Sequence, residues 1–125
     1  TLGWLDLDRF KEINDRYGHE EGDKALKVMA QLMRTSFREA DLLVRFGGDE
    51  FAVLFADTDE QGAWIAMQYL AEQVESYNAR KLHPWSLHFS WGLSEFDHNG
   101  NDLQQWLKDA DEKMYAMKQQ RQRAR

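Results

Sequence analysis

Cysteine is absent from this 125-residue sequence, which excludes a disulfide scaffold and any thiolate metal site. Proline occurs once, at Pro84, and 42% of the residues are hydrophobic against 30% charged. That balance excludes collagen-like, low-complexity and disordered chains. No apolar run approaches the ~18 residues that a membrane span needs. The opening Thr1-Leu2-Gly3-Trp4-Leu5 has no basic leader and goes straight into Asp6. Positive charge is scarce and unevenly placed. The net charge is −6, yet Lys118, Arg121, Arg123 and Arg125 all fall in the last eight residues. Residues 1–117 therefore hold 12 basic against 22 acidic side chains, an acidic body unsuited to broad nucleic-acid binding. A chain of this length fits one domain, and it buries roughly two-thirds of the surface it exposes when unfolded.

What is present reads as alternating strands and helices. Leu2 to Leu7 is a short apolar strand, and a chain that opens on a core strand reads as missing an upstream segment. Asp8 is placed to cap a helix over 9–16, which Gly18 stops. A second helix is predicted over 21–37, with Ala25, Val28, Met29, Leu32, Met33 and Phe37 as its apolar stripe. Leu42–Phe46 and Phe51–Phe55 flank Gly47-Gly48-Asp49-Glu50, a hairpin signal because glycine adopts positive φ without penalty. Both strands are apolar on both faces, so helices are expected to cover the sheet on at least one side. Asp57 to Asp59 cap a helix reaching Ala79, and 85–96 reads as a strand in which Gly92 marks a bulge or close approach. Asp97 to Asn101 form a loop, and Asp102 caps a last helix reaching Gln120. The order β-α-α-β-β-α-β-α predicts an α+β fold with a mainly antiparallel sheet.

The acids carry the chemical signal. Alternation along the first strand puts Asp6 and Asp8 on one face near its end. Asp49 and Glu50 sit at the hairpin tip, so the acids converge if that strand lies beside the hairpin. Clustered carboxylates raise one another's pKa and call for a cation. An all-oxygen set favours Mg²⁺, Mn²⁺ or Ca²⁺ over zinc, with phosphates completing the shell. The same residues also read as a solvated acidic turn with helix caps, and both readings stand on spacing alone.

Arg45-Phe46-Gly47-Gly48-Asp49-Glu50-Phe51 resembles the GGDEF signature of diguanylate cyclases. Three further blocks match that family in order. Asp6-Leu7-Asp8-Arg9-Phe10-Lys11-Glu12-Ile13-Asn14-Asp15-Arg16-Tyr17-Gly18-His19, continued by Gly22-Asp23, is similar to its first block. Ser90-Trp91-Gly92-Leu93-Ser94 resembles its S-x-G-x-S strand. Ala110 to Lys118 resembles its A-D-x-A-[ML]-Y-x-A-K helix. The resemblance spans nearly the whole chain, which reads as one GGDEF domain over 1–125 lacking the family's lead-in segment.

The resemblance implies a palm-like nucleotidyl cyclase fold with a ferredoxin-like βαββαβ core. It implies condensation of two GTP molecules to cyclic di-GMP and two pyrophosphates across a homodimer. Asp6, the Leu7 carbonyl, Asp49 and Glu50 would hold Mg²⁺ or Mn²⁺, with Asp49 and Glu50 as the catalytic pair. Asn14 and Asp23 would read guanine. Phe10, Lys11, Gly47, Gly48 and Lys118 would bind the rest of the substrate. Arg38 and Asp41, in the place of the family's R-x-x-D, would form an inhibitory product site. No nucleic acid or membrane contact is expected of the domain itself. A cytoplasmic location is expected, with any membrane anchor in upstream segments. The alternative is a silent module that binds GTP or cyclic di-GMP. One departure stands out: where the family continues K-x-x-G-R-N, this chain has Lys118-Gln119-Gln120-Arg121-Gln122-Arg123. Arg121 or Arg123 is the candidate to replace the phosphate contact at the position of Gln122, and the basic tail reads equally as a helix C-terminus matched to its dipole. The four histidines lack metal-ligand spacing, and Asp97 to Asp102 read as a plain turn rather than a calcium loop. The five tryptophans read as core or interface bulk.

Overall fold

The structure, a computed structural model, describes residues 1–100 and 102–124. Its elements are β1 (Leu2–Leu7), α1 (Phe10–Tyr17), α2 (His19–Ser36), β2 (Leu42–Phe46), β3 (Glu50–Leu54), α3 (Glu60–Ala79), β4 (Phe89–Ser94) and α4 (Leu103–Ala124). The four strands form one antiparallel sheet in the order β2-β3-β1-β4. This is the α+β arrangement expected.

β1 is apolar on both faces because it is central and helices cover both sides of it. Toward one face, Leu5, Leu7, Phe51, Val53, Phe89 and Leu93 join the buried side chains of α1, α2 and α3 in the main core. The stripe on α2 works as periodicity predicts, with Ala25, Met29 and Met33 fully buried. Toward the other face, Leu2 and Ala52 pack with Ala110 of α4, flanked by Trp4, Trp106 and Leu107. Gly92 makes that second layer possible. A Cβ there would overlap the Ala110 carbonyl and the Met114 amide nitrogen of α4, which is the close approach its position in the strand suggested.

Several elements differ from the sequence reading. Asp8 does not cap α1. Arg9 occupies that position with φ 56°, no side chain caps the helix, and the Asp8 carboxylate turns inward to accept the Ser90 hydroxyl at 2.7 Å. The last strand is shorter than 85–96, because Leu87 gives its amide and carbonyl to the Asn78 side chain of α3, both at 2.8 Å. Backbone groups satisfied by an amide side chain have no need of a ladder. α2 starts at His19 and stops at Ser36, and Phe37 leaves in extended geometry to meet Phe55 edge-on at 5.1 Å. α4 continues past Gln120 to Ala124.

Helices leave the outer strand bare on one side, so Leu42, Val44 and Phe46 of β2 are exposed. Trp64 on α3 is also half in solvent, whereas Trp85 and Trp91 are core residues. The caps Asp59 and Asp102 act as expected, accepting from Gly62 and Gln105, each at 2.8 Å. Asp97 turns its loop by accepting from the Asn99 amide at 2.9 Å, while Asn101 lies outside the described residues.

Candidate active site

The register between β1 and β3 assembles the acids. Asp6 pairs with Glu50 across the ladder, and the Leu7 amide donates to the Asp49 carbonyl at 3.1 Å. Glu50 is the first residue of β3, paired with Phe46, while Gly47 and Gly48 make the turn with φ 27° and 57°. Arg45 braces that turn by donating to the Gly48 carbonyl at 3.0 Å. The convergence expected of Asp6, Asp49 and Glu50 therefore holds, at one end of the sheet.

The electrostatics there are strained. Burial, and then the neighbouring Asp49 carboxylate, push the Asp6 carboxyl up to about 7. Lys118 opposes this from α4, its ammonium 2.7 Å from Asp6 Oδ2. Burial works to lower the Lys118 pKa, but Asp6 and then Asp49 and Asp8 outweigh it and hold the ammonium above its ordinary value. Asp6 is raised chiefly by its burial, and Lys118 by the acids that surround it. Asp6 Oδ1 is buried with no hydrogen-bond partner. A buried, unsatisfied carboxylate oxygen beside a second carboxylate fits a hard divalent cation. Among the described residues, no three acidic or histidine side chains form a ready-made metal cluster. A bound Mg²⁺ or Mn²⁺ would thus draw part of its shell from phosphate oxygens, as Mg²⁺ commonly does.

Asp8, just beyond the end of β1, serves another purpose. Arg121 Nη1 lies 3.5 Å from its Oδ2 and donates to the Phe89 carbonyl, while the guanidinium covers the Trp91 ring at 5.6 Å. Arg121 is therefore a strut between α4 and β4, a role its place in the sequence does not announce. The Arg123 side chain is exposed. The Gln122 side chain lies outside what the structure describes.

A second cluster forms where α1 packs on α2. The Asn14 amide and the Phe10 ring both lie against Gly22, and a Cβ at Gly22 would overlap Asn14 Oδ1 and come within 3.4 Å of Phe10 Cζ. Gly22 thereby admits Asn14 to a place next to Asp23. Asp23 lines a cleft of about 420 Å³ with Leu26, Lys27, Arg34, Arg45 and Phe51. Lys11 is exposed in the first turn of α1, where the leading amides have no helical acceptor.

Arg38 and Asp41 are joined on the far side of β2 by an ion pair of 3.0 Å. Their spacing in the sequence gives no sign of two further partners: Arg38 also donates to the Ala56 carbonyl at 2.7 Å and to Thr58 Oγ1 at 2.8 Å.

The chain is similar to known proteins in sequence and fold. The chain is 34% identical to the probable diguanylate cyclase DgcC of Escherichia coli, over 94% of this chain and 32% of DgcC. The chain thus spans about a third of that relative's length. The crystal structure of the GGDEF domain of TpbB from Pseudomonas aeruginosa superposes with a TM-score of 0.83 at 35% identity, covering 95% of this chain and 75% of that one. The GGDEF domain of DgcB from Caulobacter crescentus, solved in complex with c-di-GMP, superposes at 0.84 with 25% identity over 94% of this chain and 71% of that one. The family described as diguanylate cyclase, GGDEF domain, matches residues 1–124, covering the β1 acids, the glycine hairpin and the α4 lysine together: the chain belongs to the GGDEF domain family.

Proposed function

We propose that this domain is a diguanylate cyclase, condensing two GTP molecules into cyclic di-GMP and two pyrophosphates. The observation that carries the reading is the meeting of Asp6, Asp49 and Glu50 at one sheet end, with a buried Asp6 oxygen lacking a hydrogen bond. Asn14 and Asp23 hold the guanine: a carboxylate accepts from N1–H and the 2-amino group, donors that adenine lacks. Once a base covers them, leaving these groups unpaired is costly, so ATP is rejected. The leading amides of α1 and Lys11 take the terminal phosphates. Lys118 exchanges part of its contact with Asp6 for phosphate, and Phe10, Gly47 and Gly48 shape the floor.

Asp6, the Leu7 carbonyl and Asp49 would hold Mg²⁺ or Mn²⁺, which would supply acidification of the 3′-hydroxyl and charge compensation at the α-phosphate. Glu50 accepts the hydroxyl proton or completes the metal shell. Each domain binds one GTP, and a homodimer brings the two together so that the encounter becomes effectively unimolecular. Arg38 and Asp41 form a product site that limits synthesis.

The test is incubation of the full-length protein, and of this domain fused to a dimerising helix, with GTP and Mg²⁺. Cyclic di-GMP and two pyrophosphates per product are expected, with ATP untouched. GTP binding without product in the forced dimer overturns the cyclase reading and leaves a binding module.

Metal binding has its own signature in stability. The Asp6 carboxyl titrates near 7 in the folded chain against an ordinary 3.8, so between those values the folded state holds a proton that the unfolded state has lost. The stability Asp6 contributes is therefore full at low pH and is lost as pH rises toward 7. Above 7, two adjacent carboxylates repel and a cation relieves them. Saturating Mn²⁺ is expected to raise the melting temperature by about 5 °C or more at pH 8, and by little at pH 5. Equal shifts at both pH values in a calorimetric scan would remove Asp6 from the metal site.

A further inference from the structure

The R-x-x-D pair is internally occupied, and the occupant is identifiable. Arg38 Nη2 has two hydrogens but three oxygens around it: Asp41 Oδ1 at 3.0 Å, the Ala56 carbonyl at 2.7 Å and Thr58 Oγ1 at 2.8 Å. Nε faces Asp41 Oδ2 at 3.4 Å. The Thr58 hydroxyl donates its own hydrogen to the Ala56 carbonyl at 2.7 Å, leaving a lone pair for the guanidinium. Asp41, whose side chain is 2% exposed, also accepts the amides of Arg38 at 3.0 Å and Ala56 at 3.2 Å. Arg38 thereby ties the connection after α2 to the connection between β3 and α3.

A guanidinium recognises guanine N7 and O6, or two phosphate oxygens, with two parallel N–H groups. The Nε–Nη2 edge is taken by Asp41. The remaining Nη1–Nη2 edge shares Nη2, which already serves Ala56 and Thr58. A two-pronged contact to a ligand therefore requires the Nη2 hydrogen shared by Ala56 and Thr58 to turn toward the ligand, against the pull of both, while Nη1 alone offers a single prong. We propose that Thr58 is an internal competitor for Arg38 that sets how tightly the R-x-x-D site holds a guanine dinucleotide. The inference rests on the reading of Arg38 and Asp41 as a product site. It makes feedback inhibition a quantity tuned from the β3–α3 connection, away from the acids that do the chemistry.

Thr58 is well suited to test this, because the connection keeps its anchors without the hydroxyl. The Thr58 carbonyl accepts from the Thr1 hydroxyl at 2.7 Å, and Asp59 still caps α3. Calorimetric titration with cyclic di-GMP is expected to show Thr58→Val binding about fivefold to tenfold more tightly, the loss of one competing bond to a charged donor. Thr58→Ser, which keeps the hydroxyl, is expected to match the parent, and Arg38→Ala to lose binding. Should Thr58→Val unfold, Thr58→Ala gives the same readout. Equal or weaker binding by the Val and Ala variants, with Arg38→Ala silent, overturns the competitor and leaves the product site standing. Undiminished binding by Arg38→Ala, or no binding by any variant, overturns the product site and the competitor together.

Discussion

Glu50→Gln is expected to lower cyclic di-GMP synthesis by about a thousandfold, within the ~10²–10⁴ range that a positioned proton acceptor supplies. Its melting temperature should stay within a few degrees of the parent. The two halves of that expectation have separate physical sources. Glu50 stands at the first position of β3, directly across from Asp6, so the two side chains leave the sheet on the same face. Glutamine keeps its length and its fit to the strand but offers neither a negative charge nor a basic oxygen. In the fold, by contrast, the Glu50 carboxylate makes no hydrogen bond or ion pair among the described residues, so its removal breaks nothing. Product is followed by chromatography in the forced dimer, and stability by thermal melting. Turnover within tenfold of the parent removes Glu50 from both of its proposed roles. A large loss of activity restored by Mn²⁺ in excess identifies the metal role over the proton role, because a weakened metal site refills by mass action.

Gly92→Val is expected to be the most damaging single change to the fold, at about 3 kcal/mol or more and about 10 °C in melting temperature. Gly92 lies in β4, paired with Trp4 of β1. A side chain there would overlap the backbone of α4 at Ala110 and Met114 and stand 2.8 Å from Lys113 Cβ. Backbone cannot rotate aside as a flexible side chain can, so the helix must lift from the sheet. Lifting α4 carries Lys118 away from Asp6 and Arg121 away from Asp8 and Phe89. The same variant should therefore lose activity with no change to any acid. A melting temperature within 3 °C of the parent would mean that α4 is not seated as tightly as this geometry requires.

Much of this was legible in the sequence, and the reason is local. Gly47 and Gly48 announce a turn because they accept positive φ. The stripe on α2 announces a buried face because helical periodicity repeats every few residues. Gly18, Asp59 and Asp102 mark helix ends by chemistry that acts within four residues. The misplaced features depend on partners far away in the chain. Asp8 looks like a helix cap until Ser90 and Arg121, more than eighty residues on, take its carboxylate. Trp85 to His88 look like strand until Asn78 of α3 satisfies the Leu87 backbone. Arg121 gives no sign of a strut until Asp8 and Phe89 engage it.

The deficit of positive charge takes its meaning from the same division. The sequence by itself determined the element order, the family and the set of acids, because motif blocks and periodicity are properties of neighbouring residues. Only the tertiary structure decided which charges meet. The β1–β3 register sets Asp6 opposite Glu50, and the crossing of α4 over β4 at Gly92 delivers Lys118 to Asp6. The turn between β3 and α3 delivers Thr58 to Arg38. Electrostatic and hydrogen-bond energies depend on distances of a few ångströms between groups tens of residues apart, and the packing of helices on the sheet sets those distances.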